Sequence, residues 1–228
     1  MPPKLTALIF FVITVAINLF AANLLDNRAK TIFEQQQLVL LRETALVAAA
    51  SIADEEHKSV LEAASKGGYT SAAEARAEDR LRKFLESSLV DSVVTFVEIH
   101  GSAHYLLDTR DLKESESPLG VYKEYQSDAE LMAALRKKVA SVTPHPRLVR
   151  GKIKYTAYAP VDAESPTAVA VDMTEEAFLS TYRPMRSAII FTSFIMTGLA
   201  GMTAMLLFWG LSLVKRLSQK RSHNEDHQ

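Results

Sequence analysis

Two stretches without a single charge bracket this chain, and they dictate its layout before any other feature is weighed. Leu5–Leu25 (LTALIFFVITVAINLFAANLL) holds 21 uncharged residues between Lys4 and Asp26, and Ser187–Val214 holds 28. At about 1.5 Å of rise per residue the shorter run reaches roughly 31 Å as a helix, the thickness of a bilayer's hydrocarbon core. The apolar region of a cleaved signal peptide is shorter, about 7–15 residues, so the first run is read as an uncleaved anchor in spite of the small pair Ala21-Ala22. Phe208 and Trp209 lie near the end of the second run, where an aromatic belt is expected. Thr197 and Gly201, and Ala200 and Ala204, are small pairs four apart that let helices approach closely in lipid. Asn18 and Asn23 in the first run are uncharged, which points to bonds between helices and not to a transport path.

Lys215, Arg216, Lys220 and Arg221 follow the second run at once, and Lys4 precedes the first. The positive-inside rule then places both termini in the cytoplasm of a two-pass protein of the bacterial inner membrane. Four cations near the outer ends, Arg28, Lys30, Arg183 and Arg186, work against that asymmetry, but long loops translocate largely regardless of charge. The expected organisation is an anchor at 1–25, an extracytoplasmic domain at 26–186, a second span at 187–214 and a short basic tail at 215–228. The central segment carries 21 basic against 25 acidic residues and shows no basic patch interleaved with aromatics, so nucleic acid is not an expected partner. The chain has no cysteine, which excludes disulfides, thiolate metal sites and a cysteine nucleophile.

Between the spans, Asp26–Ser65 reads as one long helix. Leu25, Ile32, Val39, Leu46, Ala53 and Val60 recur every seven residues, a seam suited to pairing between chains near the membrane, with the distal half packed on its own domain. Lys66-Gly67-Gly68 stops it. Ser71–Glu74 is a capping box for a helix to about Leu89, and Ser127–Glu130 is another for a helix to about Lys138. Ser92–Ile99, Ala103–Thr109, Val139–Thr143, Arg147–Val149, Lys152–Val161 and Thr167–Met173 read as strands, with His100-Gly101 and Arg150-Gly151 as turns. Residues 111–126 read as a loop. Thr174 caps an exit helix with Glu175 and Glu176 in its first turn, and Pro184 marks a possible kink before the second span. Adjacent strands joined by short turns give an α+β fold with an antiparallel sheet.

Four stretches in this order, VVTFVEIHGSAHYLLDTRD, DAELMAALRKK, KIKYTAYAPVDAES and TAVAVDMTEEAF, resemble the single-Cache extracytoplasmic sensor domains, the PAS-like modules of bacterial membrane receptors. They cover about residues 30–180. The resemblance implies a PAS-like sheet behind a long N-terminal helix, with a ligand pocket between the sheet and the loop and helix above it. It also implies two membrane helices that relay occupancy inward. No HAMP segment, kinase, cyclase or methyl-accepting signature follows the second span. The polar ending HNEDHQ reads as a natural terminus, and the expectation is a sensor that works through a separate cytoplasmic or membrane partner. The alternatives are the sensor region of a longer histidine kinase, diguanylate cyclase or chemoreceptor, and an assembly subunit whose outer domain binds protein. A homodimer is expected through the 25–46 seam and the small face of the second span.

The residues expected at the ligand site are Arg110, Tyr122, Tyr125, Arg147, Tyr158 and Asp172. Arginine forks bind carboxylates and tyrosine hydroxyls add directional bonds, so a small organic anion, an organic acid or an amino acid, suits the set. Arg110 and Tyr158 enter because the resemblance sets their strands beside the pocket. Lys152, Lys154, Thr156 and Tyr158 share one face of a period-two strand, and two lysines there read as a solvated face. Asp172 reads mainly as a tether for the start of the exit helix, with orientation of a ligand amine as its second role. His100, His104 and His145 read as surface histidines, no metal or cofactor is expected, and neither a nucleophile elbow, a phosphate loop nor an HExxH is present.

Overall fold

The structure is a computed structural model and describes residues 3–52, 55–65, 71–109, 124–149, 151–180 and 182–225. It is an α+β chain that divides into two units, residues 1–33 with 182–228, and residues 34–181.

The first unit holds the uncharged runs. Helix α1 (Pro3–Ile52) contributes its first 31 described residues, and α6 (Tyr182–Glu225) the remainder. Both are long and apolar enough to cross a membrane. They meet through small and polar residues. Asn18 Nδ2 donates to the Ser193 carbonyl at 2.9 Å and to Thr197 Oγ1 at 2.8 Å. Phe11 lies 3.5 Å from where a Cβ on Gly201 would stand, and Ala200 and Ala204 are buried. The small face expected to pair between chains is therefore packed within this one. Above it, Tyr182 Oη donates to Asp26 Oδ1 at 2.5 Å and its ring lies against Phe33 at 5.6 Å. Pro184 falls in the first turn of α6, where a missing N–H leaves no helical bond unmade.

The second unit is built on a seven-stranded antiparallel sheet. After α2 (Glu55–Ser65) and α3 (Ser71–Ser87) come β1 (Ser92–Ile99), β2 (Ser102–Asp108), β3 (Glu124–Tyr125), α4 (Ala129–Met132) with a continuing π-helical turn at Ala133–Lys137, β4 (Ser141–Val142), β5 (Arg147–Val149), β6 (Lys152–Pro160), β7 (Thr167–Thr174) and α5 (Glu175–Ser180). The strand order is β3-β2-β1-β7-β6-β4, with β5 also on β6. The β1–β2 turn sets His100 at φ 51° and Gly101 at φ 88°. Positive φ at both central residues is what a two-residue hairpin needs to match strand twist.

The sheet is covered on both faces. One face packs Val93, Val97, Leu107, Tyr155, Ala157, Val169 and Val171 against Leu41, Ala45, Ala48 and Ile52 of α1, Val60 of α2 and Leu81 of α3. The spacing 41, 45, 48, 52 is one helical stripe. The seam residues Ile32, Val39 and Leu46 lie on a different face of α1 and are exposed, so the helix carries two apolar stripes and only one of them is used in the single chain. The distal half does pack on its domain, but within α1 through a stripe that the seven-residue count did not pick out; of the seam, Val60 in α2 joins that packing. The long helix expected over Asp26–Ser65 is described as α1 and α2, with residues 53 and 54 outside the described set. Phe178 of α5 is fully buried and stacks on Tyr155 at 4.0 Å, which fixes the exit helix to β6.

His57 of α2 is buried, and burial pushes its pKa down to about 4, with Asp162 pulling weakly the other way. The unfolded chain, whose histidine titrates near 6.5, then binds more protons than the folded one. The stability this confers is whole above pH 6.5 and is lost as pH falls through 6.5 towards 4. Moving the full chain from about pH 7.5 to about pH 5 is expected to cost about 2 kcal/mol from this residue, read as a falling melting temperature. In His57→Leu that acid slope should flatten; an unchanged slope would assign it to other groups.

Candidate functional site

The opposite face of the sheet carries the polar chemistry. Val94, Phe96, Ala103, Tyr105, Tyr158, Ala168 and Ala170 are buried there under Leu131, Ala134 and Leu135 of α4 and its π turn. Phe96, Tyr105 and Tyr125 form an aromatic trio with ring centroids 4.9–5.2 Å apart. Even-numbered residues of β6 and β7 point to this side, as the pleat requires.

Two polar groups sit in that face. The first centres on Asp128, the N-cap of α4, whose Oδ1 accepts from the Leu131 N–H at 2.6 Å. Its Oδ2 accepts from Tyr158 Oη at 2.7 Å and from Arg147 Nη1. Arg147 Nη2 reaches Glu130 Oε2 at 3.3 Å. Tyr125 lies close enough for Tyr158 and Asp128 to act on its hydroxyl, whose pKa burial raises. Burial raises the Tyr158 pKa well above its ordinary value, and Tyr125 and Asp128 add to it, so the phenol stays a donor. Burial works against the Arg147 charge, but Asp128 and then Glu130 more than offset it and the guanidinium is held charged.

The second group is a row across three strands. Thr156, Asp172 and Ser92 are direct partners on β6, β7 and β1. Asp172 Oδ1 accepts from Thr156 Oγ1 and Oδ2 from Ser92 Oγ, both at 2.8 Å, and the carboxylate is 5 % exposed. Two neutral hydroxyls are weak compensation for a buried charge, which is expensive unless paired. Lys154, two residues along β6 on the same side, is buried as well. Tyr158 is two residues in the other direction, roughly 7 Å away at strand rise.

Of the six residues expected at the site, Tyr125, Arg147 and Tyr158 are brought together around Asp128, and Asp172 lies on the same face one row away. Arg110 and Tyr122 lie outside the described residues. Three expectations change. Asp172 does not tether the exit helix: the Thr174 N–H bonds Asp91 Oδ2, and Thr174 Oγ1 accepts from Ala177 N at 3.3 Å. Lys154 is not solvated but buried, opposite Arg147 on β5 and Thr174 on β7; of the two lysines on that face only Lys152 is exposed. The cap of α4 is Asp128 and not Ser127, one residue later than the capping-box spacing suggested. Asp128, Glu130, Ser92 and Thr156 were missed. The period-two face of β6, read down to Thr156, was the signal available for the last of them.

Asp128 satisfies a helix end, a phenol and a guanidinium at once. Asp128→Ala is expected to destabilise the full chain by about 2–4 kcal/mol, against about 1 kcal/mol for Tyr158→Phe. Thermal denaturation of the two variants checks this; equal shifts would mean that the network is not centred on Asp128.

No protein-family model and no curated protein matches the chain. Solved structures to which it is similar include sensor and ligand-binding domains. The sensor domain of the histidine kinase DctB of V. cholerae aligns with a TM-score of 0.48 at 13 % identity, covering 72 % of this chain and 58 % of that one. The ligand-binding domain of the Campylobacter jejuni chemoreceptor Tlp3 in complex with 4-methylisoleucine aligns with a TM-score of 0.43 at 12 % identity, covering 75 % and 62 %. The same domain in complex with L-valine gives 0.41 at 12 % identity, covering 77 % and 66 %. The chain thus spans 58–66 % of the length of these structures.

Proposed function

We propose that this chain is a membrane-anchored sensor. The unit 34–181 binds a small amphoteric metabolite outside the cell, and α5 and α6 carry occupancy inward. The observation that carries the reading is Asp172: a buried carboxylate held by hydroxyls alone, beside a buried lysine, on a sheet face that also presents Tyr125 and Tyr158. Arg147, the strongest anion binder among the described candidates, already has Asp128 and Glu130 on its guanidinium. An amino group on Asp172 and a carboxylate towards Lys154 fit the face better than a simple dianion. A ligand ammonium would replace weak neutral donors by a charge-assisted bond, which is shorter and roughly twice as strong. Asp172 stands two residues before Thr174, where α5 begins, and Asp91 ties both: its N–H donates to the Asp172 carbonyl at 2.8 Å and its carboxylate holds the Thr174 N–H.

The membrane layout belongs to the same proposal: α1 and α6 cross the inner membrane, both termini are cytoplasmic and 26–186 is periplasmic. The exposed stripe of α1 supports pairing with a second copy, since Leu25, Ile32, Val39 and Leu46 are 58, 55, 52 and 37 % exposed at seven-residue spacing.

Thermal-shift measurement on the full chain in nanodiscs, against amino acids, simple amines and dicarboxylates, tests the ligand class. A ligand at about one hundred times its Kd adds about 2.7 kcal/mol, a rise of about 5–10 °C for a chain of this size. Amino acids are expected to stabilise the wild type and to lose the effect in Asp172→Asn. Stabilisation by dicarboxylates alone would restore the organic-anion reading. Co-purification of a protein partner without any small-molecule effect would favour an assembly subunit. The dimer is checked separately in this cysteine-free chain: Val39→Cys is expected to cross-link to itself under mild oxidation, and Leu41→Cys, on the buried stripe, is not.

A further inference from the structure

The ligand reading leaves one set of side chains unused. Outside α1, the exposed large apolar residues described in the unit 34–181 are Leu89 (83 %), Leu148 (74 %), Val139 (55 %) and Ile153 (46 %). Three of these share one end of the sheet. Leu89 precedes β1, whose first residue Ser92 pairs with Asp172 near the close of β7. Leu148 and Ile153 face each other across the β5–β6 hairpin, one residue beyond the Lys154–Thr174 pair. Val139 instead precedes β4, which joins β6 at Ala157 and Tyr158, higher up the sheet.

That end is where the chain leaves for its second apolar run. Ser187 follows Thr174 by thirteen residues, a tether of about 20 Å at helical rise. Headgroups fill roughly 5–7 Å outside the hydrocarbon core, and the hairpin tip extends beyond Thr174, so lipid is within its reach. The tip has the chemistry of an interfacial segment. Arg147–Lys154, RLVRGKIK, holds four basic and no acidic residues around its two exposed apolar ones. Lys152 is exposed, while Arg147 is half-engaged with Asp128 and Glu130, and Lys154 is buried. Acidic Glu175 and Glu176 follow in α5, so the positive charge is local to the hairpin. Apolar side chains flanked by cations on an exposed tip are how peripheral segments engage anionic bilayers.

We propose that this rim rests on the outer surface of the bilayer, with Leu148 and Ile153 among the headgroups, Leu89 beside them and Lys152 on anionic lipid phosphates. The contact would hold the sensor unit against the membrane at the place where its exit helix departs. The proposal rests on reading α1 and α6 as membrane spans, and the test separates the two. Single cysteines are placed at Leu148, Val139 and Phe194 of the cysteine-free full chain and labelled with an environment-sensitive fluorophore. The chain is then reconstituted in phosphatidylcholine nanodiscs, with or without phosphatidylglycerol, carrying a nitroxide near the headgroup or in the acyl chain. Quenching of the Leu148 label by the headgroup nitroxide is expected to exceed that of the Val139 label several-fold. It should fall by about half without phosphatidylglycerol or in high salt. The Phe194 label should be quenched from the acyl chain throughout. If the Phe194 label is quenched while the Leu148 label behaves like that at Val139, the rim contact is overturned and the spans stand. A Leu148 label shielded from water but untouched by lipid nitroxide also overturns it, in favour of a protein contact. An unquenched Phe194 label overturns the spans beneath both.

Discussion

The architecture of the 34–181 unit depends on a sheet whose central strands leave no face for water. All but the last residues of β1 and β7 are buried on both sides. A sheet in that state needs two covers, and the chain supplies them from different places: the stripe of α1 with α2 and α3 on one face, α4 and its π turn on the other. Double burial also restricts the chemistry. A polar side chain in such a strand must find its partners inside the protein. Thr95, whose hydroxyl accepts from the Leu107 N–H, and Thr109, bonded to both polar groups of Val93, do so as backbone staples. Asp172 does so only through hydroxyls. A charge kept at that position is hard to explain by stability, because an apolar residue of similar size would remove a desolvation penalty. The proposed ligand would give that charge the partner the sheet does not.

The same double burial governs what could be read from the sequence. The two uncharged runs and every strand but β3 were legible because hydrophobic periodicity and turn chemistry are local; β3, Glu124–Tyr125, fell at the end of the stretch read as a loop. SVVTFVEI and TAVAVDMT announce buried strands whatever covers them. What failed was anything that required knowing the cover. Alternation along KIKYTAY correctly set Lys152, Lys154, Thr156 and Tyr158 on one side. It gave no means of knowing that this side is buried from Lys154 onward. The seven-residue seam in α1 was found, and it is apolar. The stripe that meets the sheet, Leu41, Ala45, Ala48 and Ile52, is half alanine and was masked by its larger neighbours. Small residues pack closest and announce themselves least.

The site shows the same division. Tyr125, Arg147, Tyr158 and Asp172 were reachable by residue type and strand face. Asp128 was not, because a Ser-Asp pair offers two possible caps and only the tertiary demand of Tyr158 and Arg147 selects the second. That choice has a consequence for ligand class. With Ser127 as the cap, Asp128 would be free to turn away and Arg147 would be open to an external anion. With Asp128 as the cap, the arginine is engaged from within by Asp128 and Glu130, and the buried charged groups on the face that no ion pair holds among the described residues are Asp172 and Lys154.

The proposed sensor role requires that occupancy be converted into movement, and a ligand moves only an equilibrium whose two states it binds unequally. Asp172 is suited to this because its hydrogen-bond partners lie on different strands. Ser92 belongs to β1 and Thr156 to β6, so a competing donor that draws the carboxylate away loosens β7 from both neighbours at the same level. Two residues on, β7 becomes α5, held by Asp91 at its start and by Phe178 stacked on Tyr155 in its body. Asp91 is itself bonded through its N–H to the Asp172 carbonyl. The end of β7, the cap of α5 and the seat of Phe178 are therefore a single chain of directional contacts less than ten residues long. Packed interiors resist continuous deformation and switch between discrete arrangements instead. A change at Asp172 thus has one short route to the exit helix, and that route passes through bonds and stacked rings, with no flexible loop in which the change could be lost.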